Sequence, residues 1–213
     1  MKKQVNIEHY DFNKYVSKER WNSYYNQIGI TIESQPKNVL IIGVGDNIVG
    51  EVLKKFGYVV TTFDFAEDVN PDIIGDVTII DKIINKKYDV VICCQVLEHL
   101  PFEKFEDTIK RISKVVSKNG KFILSLPDAR TYISFSFRLL GLKKYTFLKR
   151  IPVFWKRKFR FDIEGNNEHY WEVGIVDVPC KKIRDTLRKY FTLEKEFVDS
   201  GNLFHHFYIL KNK

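Results

Sequence analysis

Short β-branched runs alternate with stretches of helical period along the middle of this chain, the pattern of βα units around a parallel sheet. The first run, Val39-Leu40-Ile41-Ile42, is closed by Gly43-Val44-Gly45. Ile48 to Phe56 then sets Ile48, Val52, Leu53 and Phe56 on one helical face, with Gly57 as its stop. Tyr58 to Phe63 is a second strand ending at Asp64, Ile73 to Val77 a weaker third, and Ile79 to Ile84 a short helix. The unbroken apolar run Val90-Val91-Ile92-Cys93-Cys94 suits a strand buried on both faces. Glu103 to Ser117 returns to helical period through Phe105, Ile109, Ile112 and Val115, and Asn119-Gly120 ends it before a strand from Lys121 to Leu126. Near the C-terminus, Val178 to Tyr190 reads as a helix. Phe191 to Phe197 and Leu203 to Leu210 read as strands around the turn Asp199-Ser200-Gly201-Asn202, and strands joined so directly pair antiparallel.

Length and composition bound the rest. At 213 residues the chain suits one large domain, and 44% hydrophobic residues suffice for its core. No apolar run reaches the roughly 18 residues that cross a bilayer, and the Met1-Lys2-Lys3-Gln4 start leads into polar residues, so an unexported, cytoplasmic protein is expected. Three cysteines, two of them adjacent, suit neither a disulfide framework nor a zinc site.

The net charge of +8 is local. Ala129 to Phe161 holds ten Lys and Arg and no acid, leaving the remainder at −2. Aromatic residues interleave those cations, so this segment, and not the body, faces an anionic partner. Phosphate groups of RNA are one such partner, an anionic membrane surface another, with Phe135, Leu139, Leu140, Leu142 and Phe147 spaced among Lys and Arg as in an interfacial helix. The second of these would make the chain peripheral to the membrane.

Chemistry begins at Gly43-Val44-Gly45-Asp46-Asn47, because a glycine turn between a strand and a helix lets a ligand approach backbone and helix N-terminus together. A dinucleotide fingerprint would place glycine at position 48, where Ile48 stands. Asp64 follows Gly43 by 21 residues, at the end of the second strand, where a carboxylate can accept both hydroxyls of a ribose. A nucleoside therefore fits better than a dinucleotide.

These residues resemble the class I S-adenosylmethionine-dependent methyltransferases of the small type 11 and type 23 kind. Val39 to Gly45 resembles the family's glycine motif, Thr62-Phe63-Asp64-Phe65 its ribose motif, and Gly75-Asp76-Val77 its adenine-edge pair. Tyr88 to Leu100 is similar to the fourth-strand motif and Val115 to Pro127 to the fifth-strand hairpin. Asn47 departs from the pattern, standing where a third glycine is usual. The resemblance implies an α/β fold: a Rossmann-like, seven-stranded, mostly parallel sheet with an antiparallel final hairpin, helices on both faces and a basic lid insertion. It divides one domain into a helical arm (1–36), a cofactor-binding core (37–128), a lid (129–175) and a C-terminal helix and hairpin (176–213). It implies S-adenosylmethionine bound by Gly43, Val44, Gly45, Asn47, Asp64, Phe65, Asp76, Val77, Cys94 and Gln95. Tyr15, Trp21 and Tyr24 of the arm are candidates for the pocket wall.

Transfer from a sulfonium needs acceptor and methyl held in line, and a group to take the acceptor's proton. Histidine suits that role, which points to His99, after the fourth strand, and His169, beyond the basic insertion. The expected reaction is methylation of a hydroxyl, with an amine as second choice, on a small-molecule or glycan-like acceptor that is anionic or sugar-linked. Glu98, His99 and His169, with Gln95 one turn earlier, also resemble the Mg²⁺ or Mn²⁺ set of methyltransferases that act on vicinal diols, including RNA ends, although Gln95 replaces a carboxylate. A non-catalytic nucleoside- or RNA-binding module is the remaining alternative. Oligomeric state is not legible.

Overall fold

The computed structural model describes residues 7–138, 144–151 and 169–213. Helices α1 (Phe12–Tyr15) and α2 (Lys18–Glu33) form the arm, each started by a side-chain cap: Asp11 accepts from the Asn13 amide and Ser17 from the Arg20 amide. There follow β1 (Asn38–Ile42), α3 (Ile48–Lys55), β2 (Val59–Asp64), β3 (Ile73–Ile74), α4 (Ile80–Ile83), β4 (Tyr88–Cys94), α5 (Phe105–Val115) and β5 (Val116–Pro127). β6 (Tyr132–Arg138) and β7 (Lys144–Arg150) stand apart, and α6 (Cys180–Tyr190), β8 (Phe191–Asp199) and β9 (Asn202–Asn212) complete the chain.

Seven strands make one sheet in the order β3-β2-β1-β4-β5-β9-β8. The five on the β3 side pair in parallel; β9 runs antiparallel between β5 and β8. Helices cover both faces. On one, Tyr24 of α2 and Val49 and Leu53 of α3 pack on Val39, Ile41, Val90, Ile92 and Ile123. On the other, Ile80, Ile109, Ile112, Ile183 and Leu187 pack on Leu40, Ile42, Val91, Phe122 and Leu124. Residues alternate between faces along each strand, and every central strand is apolar on both, as its unbroken hydrophobic run requires. Among the described residues no helix is long and apolar enough to cross a membrane.

Three local expectations are corrected. The third strand stops at Ile74, because the Asp76 carboxylate caps a 3₁₀ turn, Val77–Ile79, and takes the backbone out of the sheet. Helix α5 ends at Val115, and Asn119-Gly120 lies inside β5, where pairing jumps from Tyr88↔Val116 to Val90↔Lys121; Asn119 at φ 63° makes the bulge.

The surface-helix reading of the basic segment is overturned where it can be tested. Phe135 and Phe147 face each other across a two-stranded antiparallel ribbon, β6–β7. The run Tyr132-Ile133-Ser134-Phe135-Ser136-Phe137 alternates at period two and is rich in β-formers, which outweighs the helical spacing of its neighbours. Leu139, Leu140, Leu142 and the Lys156-Arg157-Lys158 run lie outside the described residues.

The ribbon's root is locked to the sheet. The Asp128 carboxylate, fully buried, accepts from Arg130 Nη2 at 2.5 Å and Tyr132 Oη at 3.0 Å, and pairs with His206 Nδ1 at 3.0 Å. His206 Nε2 in turn meets Glu196 Oε1 at 2.9 Å. Burial would raise the Asp128 carboxyl, but its bonds to Arg130 and His206 outweigh it and hold the group well below the usual carboxylate range.

Candidate active site

The glycine turn after β1 has three left-handed residues: Gly43 at φ +83°, Gly45 at +54° and Asn47 at 56°. Gly43 is obligatory on two counts, since a Cβ there would also collide with Val96 Cγ2. Asparagine is the residue after glycine that best tolerates this conformation, so Asn47 performs the third turn position without a glycine. The turn is tied to its neighbours on both sides. The Val44 amide donates to Asp64 Oδ2 at 2.8 Å, and the Ala66 amide donates to Asp64 Oδ1 at 2.9 Å. Asp46 accepts from the Ile48 amide at 3.1 Å, and from the Tyr24 hydroxyl of the arm at 2.5 Å. Burial and the Asp46 carboxylate push the Tyr24 phenol far above its ordinary range.

A crevice opens at the carboxyl ends of β1, β2 and β4, where ligands bind in sheets of this kind. Of the residues picked from sequence, Gly43, Val44, Gly45, Asn47, Asp64, Phe65, Val77, Cys94, Gln95 and His99 lie in its wall. Asp76 lies between the wall residues Gly75 and Val77, and its carboxylate accepts from the Thr78 amide (2.8 Å) and hydroxyl (2.7 Å). Tyr15 and Tyr24 wall the crevice from the arm, whereas Trp21 is 50% exposed and meets Tyr24 edge-on. Burial pushes the Cys94 thiol up to about 12, which leaves it a wall residue and not a nucleophile.

Tyr10, Arg20, Gln27 and His205 line the same crevice and escaped the sequence reading. Arg20 lies over the Tyr15 ring at 3.7 Å. His205 is buried, its Nδ1 2.6 Å from Ser23 Oγ of α2. Burial, with the positive fields of Arg20 and His169, lowers its pKa to about 3, so the ring stays neutral. The adjacent histidines 205 and 206 carried a usable signal: on a strand they must face opposite sides of the sheet. Their register with Pro127 and Leu126 confirms it.

In the crevice wall, Gln95 turns the chain off β4 at φ 56°, and Leu97–His99 form a 3₁₀ turn. The His99 and His169 rings meet edge to face with centroids 5.1 Å apart, and His169 Nδ1 lies 3.3 Å from Glu172 Oε1. A Glu98 backbone carbonyl that accepts from the Tyr170 amide at 2.8 Å holds the two segments together. The Glu98 side chain is fully buried, and among the described residues neither carboxylate oxygen has a hydrogen-bond partner of good geometry. Burial raises its pKa to about 7 against the opposing field of His169. One ligand atom each from Glu98, His99 and His169 lies within 4.8 Å of the others.

A family profile described as a methyltransferase domain matches residues 12–194. A search of curated protein sequences finds no match. Among solved structures, an S-adenosylmethionine-dependent methyltransferase from Clostridium acetobutylicum is similar at TM-score 0.60 and 12% identity, covering 97% of this chain and 96% of its own. An N-methyltransferase from Bradyrhizobium japonicum, in complex with S-adenosylhomocysteine, is similar at 0.61 and 10% identity, covering 94% and 91%. A Burkholderia thailandensis 1,6-didemethyltoxoflavin N1-methyltransferase, with that substrate and S-adenosylhomocysteine bound, is similar at 0.59 and 13%, covering 97% and 85%. At such identities the likeness is one of fold. The crevice fits the cofactor, since bare glycine backbone floors it and an anchored carboxylate stands at its edge. The chain belongs to the methyltransferase-domain family and is an S-adenosylmethionine-dependent methyltransferase.

Proposed function

We propose that the enzyme methylates a hydroxyl, or as second choice an amine, of a small acceptor that enters beside His99 and His169. The single observation that carries this reading is the pair of imidazoles 5.1 Å apart, one of which lies in the wall of the cofactor crevice. When bound, S-adenosylmethionine supplies an electrophilic methyl on a sulfonium. In this reading the Gly43–Asn47 backbone and Asp64 hold the nucleoside, with Phe65, Val77, Cys94 and Gln95 around it. Tyr10, Tyr15 and Tyr24 exclude water from above, which strengthens every charge interaction below them. His99 or His169 accepts the acceptor's proton, and Glu172 on the His169 Nδ1 orients that ring. The acceptor class is a small molecule, anionic or sugar-linked, in keeping with the excess of Lys and Arg between 129 and 161. Incubating the enzyme with labelled donor and matched hydroxyl and amine acceptors tests it. At least one of His99→Ala and His169→Ala should abolish turnover while S-adenosylhomocysteine still binds; full turnover in both would refute the assignment.

The buried carboxylate favours a second reading. Buried Glu98 needs either a proton or a cation, and Glu98, His99 and His169 together make a two-imidazole, one-carboxylate set. A bound Mg²⁺ or Mn²⁺ would lower an acceptor hydroxyl's pKa. Turnover unchanged by EDTA, or by Glu98→Ala, eliminates this reading and leaves the protonated carboxyl.

A further inference from the structure

The β6–β7 ribbon has two unlike faces. Tyr132 and Ser134 belong to the face turned to the body, through the bonds of Tyr132 to Asp128 and of Ser134 Oγ to the Ser200 carbonyl at 3.2 Å. The other face carries Phe135 opposite Phe147 and Phe137 opposite Tyr145, with Lys149 on the same side. These four rings are 61%, 60%, 39% and 49% exposed in that order, although isolated exposed aromatics are the rule on a water-facing surface. Neither strand contains an acidic residue; Lys149 shares the aromatic face, while Arg138 and Arg150 fall by register on the face of Tyr132 and Ser134.

We propose that this aromatic face docks the enzyme onto an anionic phospholipid surface. Three observations choose that occupant. The strands carry only positive charge, so a lipid headgroup layer of negative charge complements them. A second copy of the ribbon would bring like charges together and is disfavoured for the same reason. The rings stack on one another, Phe137 with Phe147 at 5.9 Å and 7° and with Tyr145 at 5.7 Å and 26°. Their faces are thereby shared within the ribbon. A nucleic-acid base stacks on a ring face, whereas acyl chains pack equally well on edges. The ribbon root, clamped by Asp128, Arg130 and His206, makes the docked surface continuous with the sheet.

Vesicle co-flotation of the full chain tests the proposal. Vesicles containing phosphatidylglycerol should retain the protein, pure phosphatidylcholine vesicles should not, and Phe135→Ser with Phe147→Ser should weaken partitioning about tenfold or more. The thermal midpoint and S-adenosylhomocysteine affinity of the double variant report its fold. Phe135→Trp should be quenched by brominated anionic lipid, which places the face in contact without removing a ring. The proposal is overturned if the double variant partitions like the parent, or if both vesicle types retain the protein equally. It is overturned equally if the same two rings instead govern binding to oligouridylate or a sedimenting dimer.

Discussion

Asp64 Oδ2 accepts the Val44 amide at 2.8 Å, joining the end of β2 to the glycine turn of β1. The carboxylate thus shapes the turn before any ligand arrives, and its second oxygen is anchored by Ala66. Asp64→Asn keeps the side chain's size but removes its charge and sets an NH₂ donor against one of the two backbone amides. S-adenosylhomocysteine affinity measured by calorimetry should fall about ten- to a hundredfold, the worth of one or two charged hydrogen bonds. Unchanged affinity would mean the carboxylate serves the turn alone.

Burial raises Glu98 from the ordinary glutamate value of 4.5 to about 7. The folded state therefore holds the proton more tightly than the unfolded chain. The associated stability is complete below about 4.5, is lost as pH rises towards and through 7, and amounts to roughly 3 kcal/mol. Glu98→Gln should flatten the decline in urea-unfolding free energy across that window and leave the acid side unaltered. A parallel curve for parent and variant would show that the carboxyl is satisfied by other means.

Removing the Asp128 carboxylate strands Arg130 and His206 in the interior beside Glu196. Asp128→Ala should cost about 3–5 kcal/mol in chemical unfolding, the range for breaking one side of a buried ion pair. Because the folded carboxyl lies below its unfolded range, its contribution is present at neutral pH and lost as pH falls through the folded pKa. The parent should lose stability with acid more steeply than the variant.

Gly43→Ala meets both a left-handed φ of +83° and the Val96 side chain. Each alone costs about 1–3 kcal/mol. Val96→Ala introduced alongside should recover the packing portion and leave the backbone portion, a difference that thermal unfolding of the four-member cycle resolves.

Much of the fold was legible because its rules are local. Hydrophobic period placed β1, β2, β4, α3 and α6 within a residue or two, and glycine with asparagine marked the turn that left-handed backbone demands. The family follows from the same stretch, since its motifs lie on consecutive elements. The sequence misplaced β3, the end of α5 and the ribbon, where a capping carboxylate, a bulge and period-two alternation compete with the neighbouring pattern.

By itself, then, the chain's order of residues determined the βα alternation, the nucleoside-type crevice and most residues at its floor, because adjacent segments build them. Only the tertiary structure decided that Tyr10, Arg20 and His205, far apart in sequence, share that crevice, and that the Asp76 carboxylate caps the turn after β3. It alone brought His169 within ring contact of His99 and buried the Glu98 carboxylate beside them. Desolvation depends on everything packed around a group, and no spacing along one chain encodes which distant segments will close over it.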